Sequence, residues 1–149
     1  MKKLALTDFT KYRYPSALEL SPDGRYLTFA LKEVDREGDG YRWNLWLYDL
    51  ESRESRQITR GDHQRQAVWE DNTHILYKTT ELDEAMRARG FEEEWTVYHR
   101  LNVCTGEEHE AFRLPMSVSG LWKMDEGRYV FTGETHLDRP NLLELTGEA

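Results

Sequence analysis

Apolar and polar positions alternate in short runs of strand length along the chain, and clusters of turn residues break the runs at regular intervals. In the first unit, Ala17-Leu18-Glu19-Leu20 alternates, Ser21-Pro22-Asp23-Gly24 supplies a turn, and residues 25–31 resume as a strand rich in aromatic and β-branched side chains. Asn44-Leu45-Trp46-Leu47-Tyr48-Asp49-Leu50 is a nearly continuous apolar run, as expected of a strand covered on both faces. Glu51-Ser52-Arg53-Glu54 turns it into a polar outer strand over 55–59. Four strands joined by such turns make one propeller blade.

The same order returns twice. Gln66-Ala67-Val68-Trp69 leads through Glu70-Asp71-Asn72 to Ile75-Leu76-Tyr77, then to residues 96–103, the turn Thr105-Gly106-Glu107, and Glu110-Ala111-Phe112. A third copy has a strand over 118–122, the turn Asp125-Glu126-Gly127, Tyr129-Val130-Phe131, Asn141-Leu142-Leu143-Glu144-Leu145 and finally Thr146-Gly147-Glu148. The turns at Asp23, Asp71 and Asp125 recur roughly every 50 residues, near the upper end of the range for propeller blades. The excess falls in two insertions, 33–41 and 81–90. Both are expected to project as loops, the second with a short helical turn stopped by Gly90.

The expected fold is therefore all-β, with about three four-stranded antiparallel blades: blade 1 over about 16–60, blade 2 over about 65–113 and a truncated blade 3 over about 116–149. Ala149 falls in the third blade's last turn, so its outermost strand is expected to be missing, and a closed propeller needs about four to eight blades. The exposed blade faces and edges of such an open arc are expected to drive homo-oligomer formation.

Composition narrows the function classes. Of 149 residues, 38% are hydrophobic, a low fraction, but 12% are aromatic, which favours packed sheets over a disordered acidic chain. A net charge of −8 offers no broad basic surface, arguing against nucleic acid and anionic membrane as partners. Cys104 is the single cysteine, so no internal disulfide forms, and a reducing cytoplasm suits the chain. The apolar run after Met1-Lys2-Lys3 is too short for a signal peptide or a membrane span, and the mature chain is expected to start at Met1.

Candidate chemistry is sparse. None of the six serines (16, 21, 52, 55, 117, 119) sits in the Gly-x-Ser-x-Gly elbow that exposes a nucleophile beside oxyanion donors. Asp35-Arg36-Glu37-Gly38-Asp39-Gly40 begins like a calcium loop, but its twelfth position is Trp46 where a bidentate acid is required. His99, Cys104 and His109 lie across one hairpin. With the turn at Thr105-Gly106, His99 is expected to pair near Phe112, which keeps the histidines from converging on a metal. No cofactor or metal is expected. Four of the five tryptophans, 46, 69, 95 and 122, fall in strands and are expected in the core; Trp43, beside the first insertion, is the one that could face a ligand or partner.

Taken together, Leu6-Thr7-Asp8-Phe9, Leu20-Ser21-Pro22-Asp23-Gly24-Arg25-Tyr26, Asn44-Leu45-Trp46-Leu47 and Gln57-Ile58-Thr59 resemble the start of the prolyl oligopeptidase family, in its dipeptidyl aminopeptidase/acylaminoacyl-peptidase branch. The segment from Glu94-Trp95-Thr96-Val97-Tyr98 through Thr105-Gly106-Glu107 to Ala111-Phe112-Arg113-Leu114-Pro115 is similar to the second blade of bacterial members. Ser-Pro-Asp-Gly turns also occur in TolB-like and WD-repeat propellers, whose role would be protein–protein interaction; the combined order favours the peptidase family. That resemblance implies a noncatalytic propeller portion that limits which peptide substrates reach a Ser-Asp-His hydrolase domain, and no such hydrolase domain is present in this sequence. Because dipeptidyl peptidases of this family hold a substrate's ammonium with propeller glutamates, Glu92, Glu93 and Glu94 are the candidate substrate-binding residues; a solvated loop is the ordinary alternative for such a run. No catalytic residue is expected in the chain itself.

Overall fold

The computed structural model describes residues 8–82, 88 and 94–134, and within them ten strands form three antiparallel sheets in chain order. A 3-10 turn at Asp8–Lys11 leads into the first sheet, β1 (Tyr14–Leu20), β2 (Tyr26–Asp35), β3 (Gly40–Asp49) and β4 (Glu54–Gln57). The second repeats the order with β5 (Ala67–Trp69), β6 (His74–Leu82), β7 (Glu94–Asn102) and β8 (Glu108–Leu114). The third holds β9 (Ser117–Lys123) and β10 (Tyr129–Glu134), joined through a 3-10 turn at Asp125–Gly127. Sheets of four, four and two strands, unclosed, are the incomplete propeller the repeat predicts. The rest of the expected third blade, 141–148, lies outside the described residues.

The turn residues act as their chemistry dictates. The Ser21 hydroxyl donates to Asp23 Oδ1 at 2.6 Å and accepts from the Tyr26 N–H at 2.9 Å, while Asp23 Oδ1 accepts from the Arg25 N–H at 3.1 Å. Gly24 follows at φ +72°, a left-handed conformation that glycine adopts without steric penalty. Asp71 repeats the device, accepting from the N–H groups of Thr73 at 2.7 Å and His74 at 2.8 Å. Asp49 and Asn102 do the same for the outer turns, receiving the N–H groups of Glu51 and Cys104.

One expected loop is strand instead. Across 33–41, β2 and β3 stay paired through Val34↔Tyr41 and Asp35↔Gly40, leaving only 36–39 as the turn. Charged residues suggested a loop, but the alternation persists, and Lys32 sits over the rings of Tyr41 and Trp43 on the facing strand. The second insertion falls largely outside the described residues, apart from Glu81 and Leu82, which extend β6, and Ala88.

Two cores join the sheets face to face. Ala30, Leu45 and Leu47 of the first sheet pack with Ala67, Trp69, Ile75, Tyr77, Leu101 and Val103 of the second. Leu76 and Tyr98, on the opposite face of the second sheet, pack with Val118 and Leu121 of the third. Alternation along each strand thus serves two joints, each fully buried aliphatic contributing roughly 1.5–3 kcal/mol relative to exposure. Trp69 and Trp95 are buried as expected and Trp46 is half-buried, but Trp122 is 50% exposed. Trp122 alternates with Leu121, which fills the second core, so the indole lies on the other face with its ring over Gly120.

Candidate functional site

The inner edges of the three sheets converge. β5 contacts both β1 and β9, and a cleft of about 230 Å³ between them is lined by Glu19, Leu20, Gln66, Val68, Trp122 and Lys123, among others. Two features fix this convergence. β1 carries a bulge between Ser16 and Glu19 with Ala17 at φ +49°, which turns the Glu19 carbonyl to accept from Thr28 Oγ1 and from Trp69 Nε1, each at 3.2 Å. The second-sheet indole therefore anchors on the first sheet's inner strand, and Tyr26 stacks on it with ring centroids 6.4 Å apart.

A polar cluster adds to the apolar core of the joint between the second and third sheets. Glu70, its side chain only 10% exposed, receives Arg100 through Nε and, at 2.7 Å, through Nη2; the Tyr129 hydroxyl donates to it at 2.5 Å. Lys123 Nζ donates to the Glu70 carbonyl. Burial pushes the Glu70 carboxyl up, but the Arg100 and Tyr129 hydrogen bonds outweigh it and hold the group below its ordinary value. Burial, with the Glu70 carboxylate beside it, pushes the Tyr129 phenol up to about 12. Below this cluster Thr96 Oγ1 donates to the Met116 carbonyl at 2.7 Å and accepts from the Val118 N–H at 3.1 Å.

On the face of the second sheet turned toward the first, Thr79 Oγ1 lies 2.9 Å from His99 Nε2, and His99 Nδ1 lies 3.5 Å from Glu108 Oε1. With the proton on Nδ1 the imidazole satisfies both partners, and the relay stitches β6, β7 and β8 together beneath the stacked Tyr77 ring. The expected pairing of His99 near Phe112 is off by a bulge: Tyr98 opposes Phe112, His99 opposes Glu110 and Arg100 opposes His109. The two histidines therefore point to opposite faces, and among the described residues no group of three or more His, Cys, Asp or Glu is placed to hold a metal.

Of the glutamates singled out, Glu94 begins β7 half-buried and opposite Leu82, while Glu92 and Glu93 lie outside the described residues. The Asp35 turn is a capped hairpin, its Oδ1 accepting from the Glu37 N–H at 3.2 Å. Ser21 is held in the Asp23 turn and Ser119 across to Thr132, both as structural hydroxyls. Trp43 lies in the first half of β3, where the segment after β4 runs beside it through a parallel bridge to His63. Periodicity places Trp69 in the core but gives no sign of its bond to the Glu19 carbonyl, and nothing in the pattern marks Glu70, since their partners lie some 30 to 60 residues away in sequence. The repeated Gly-Arg-Tyr at 24–26 and 127–129 was the one available signal that a tyrosine closes each joint. No helix among the described residues is long and apolar enough to cross a membrane.

No protein-family model and no curated protein matches the sequence. Solved structures do. The β-propeller domain of the trilobed protease from Pyrococcus furiosus, described as having an open velcro topology, aligns at a TM-score of 0.58 and 13% identity over 83% of this chain and 34% of that one. Pyrococcus horikoshii acylaminoacyl peptidase aligns at a TM-score of 0.65 and 13% identity over 89% of this chain and 19% of that one. The likeness is one of fold, and the chain spans about a third and a fifth of the lengths of the two.

Proposed function

We propose that this arc of blades is the noncatalytic propeller portion of a prolyl oligopeptidase-family serine peptidase, selecting the peptides that reach a hydrolase domain carried elsewhere. The observation that carries the reading is the order of sheets, which aligns over most of the chain with propellers of two peptidases, together with the motif order from Leu6 to Thr59. Inner strands meeting around an axis make a passage whose width is set by backbone spacing, so an extended peptide passes where a folded domain does not. Selection of this kind needs no nucleophile in the propeller itself.

Two measurements test it. The coding region around these codons is expected to continue into further blades and a Gly-x-Ser-x-Gly segment; a parent protein without either sinks the kinship. The purified chain is expected to leave short chromogenic peptides intact, and turnover abolished by substituting a single serine would overturn the noncatalytic role. Within this reading Glu92, Glu93 and Glu94 are the acceptors for a substrate ammonium. Replacing the three with Gln in the full-length enzyme is expected to raise KM about tenfold for peptides with a free N-terminus, with N-acetylated peptides unaffected. An equal effect on both substrates refutes that assignment.

A further inference from the structure

The chain carries 28 acidic against 20 basic residues, yet Lys32 and Arg65, which flank Trp43, and Lys78, on the face of β6 turned toward the third sheet, form no ion pair with any described carboxylate. Lys32 lies 3.7 Å from the centroid of Tyr41 and 5.4 Å from that of Trp43, and the Arg65 guanidinium lies 4.0 Å from the Trp43 ring. Lys78 is half-buried and donates to the Val118 carbonyl, which uses one of its three N–H groups. Burial, and Arg65 in its field, push its ammonium below the ordinary value, the mark of a cation with no neutralising neighbour.

Lys78 lines a cleft of about 220 Å³ with Gly61, His63, Gln64, Thr79 and Thr80, and Trp43 adjoins it through its bridge to His63 and the Gln64 N–H donated to the Trp43 carbonyl. Gln64 is buried with its Oε1 accepting from the Gly61 N–H at 3.0 Å, and a Cβ on Gly61 would come within 2.3 Å of the Gln64 amide nitrogen. Cations that rest on aromatic faces, in an acidic protein, are available to an incoming anion without an internal pair having to break. The volume suits one carboxylate-bearing side chain, and Tyr41, 46% exposed at the end of the strip, offers apolar surface to a neighbouring residue of the same ligand. A polyphosphate backbone would meet the chain's net charge of −8 beyond this small strip.

We infer that the Gly61–Thr80 cleft, with Lys78 in its lining and Trp43 and Arg65 on the adjoining segment, is a binding site for the carboxylate of an acidic peptide. The site stands on side chains within this chain and holds whether or not the peptidase kinship does.

The test is a titration of the 149-residue protein, following its tryptophan indole N–H signals by NMR, with the Trp43 signal assigned from Trp43→Phe. The probes are tetraglutamate blocked at both ends, the blocked tetraglutamine peptide, and inorganic phosphate. Blocked tetraglutamate is expected to shift the Trp43 signal saturably, more weakly as salt rises, and to bind at least about tenfold more tightly than tetraglutamine or phosphate. The double variant Lys78→Gln with Arg65→Gln is expected to lose that binding by about tenfold or more while the signals of Trp69 and Trp95 stay in place, which reports an intact fold. The inference is overturned by the absence of any Trp43 shift at millimolar peptide, by equal binding of tetraglutamine, by phosphate binding as tightly as the peptide, or by unchanged affinity in the folded double variant.

Discussion

Glu70 shows how much one side chain decides in a sheet protein. Its carboxylate joins Arg100 of its own sheet to Tyr129 of the next, and those two partners reach it from separate strands. Tyr129→Phe removes a hydroxyl donated to a charged group and is expected to lower stability by about 1.5–3 kcal/mol in urea unfolding. Glu70→Gln is expected to lower it by a similar amount, and combining the two should fall well short of additivity because both act on one network. The carboxyl is held below its ordinary value near 4.5 in the folded state. The stability it confers is therefore complete above that value and drains away as pH falls through the lower, folded one. Asp71, held at about 2, behaves in the same sense over a more acidic window. Unfolding midpoints measured between neutral pH and pH 3 should fall in the native protein and fall less in Glu70→Gln; parallel slopes would contradict this. Local chemistry of this kind is legible in sequence where it closes on itself, as in Ser21-Pro22-Asp23-Gly24. It is illegible for Glu70, whose partners stand at no fixed spacing from it.

At the scale of elements, strand order and turns were legible because period-two alternation and turn residues are properties of short segments. Three things were not. The β2–β3 hairpin outruns its expected length because cation–aromatic contacts hold a charged stretch in register. The bulge that offsets His99 from Phe112 slips β8 by one residue, and no residue type announces it. The same holds for Ala17, whose left-handed backbone at φ +49° is imposed by the inner-strand bulge. Ala17→Gly is accordingly expected to be neutral or to raise stability by up to about 1 kcal/mol, whereas Gly24→Ala, at φ +72°, should lower it by about 1–2 kcal/mol. Leu45→Ala, at the centre of the first core, should be far costlier at about 2–5 kcal/mol. Thermal melts of the three variants rank them directly, and a Leu45→Ala protein as stable as Ala17→Gly would mean the first core is misassigned.

For the whole molecule, one face of the first sheet has no neighbouring sheet among the described residues. Leu27 opposes Tyr48 and Phe29 opposes Trp46 on that face, all half-buried, with Leu20 beside them 58% exposed. Apolar surface of this extent favours self-association. Sedimentation of the isolated chain is expected to show oligomers that dissociate in Phe29→Lys, and a native monomer at high concentration would refute this. The two joints, meanwhile, are not made alike. Aliphatic and aromatic packing fastens both, and between the second and third a buried carboxylate, held by a guanidinium of its own sheet, adds a hydrogen bond from a phenol of the next. Solvent conditions consequently act on them unequally: acid protonates the carboxylate of the second joint and loosens it alone, while cooling weakens the apolar packing of both. A molecule built this way lets go of its third sheet first as the medium turns acid.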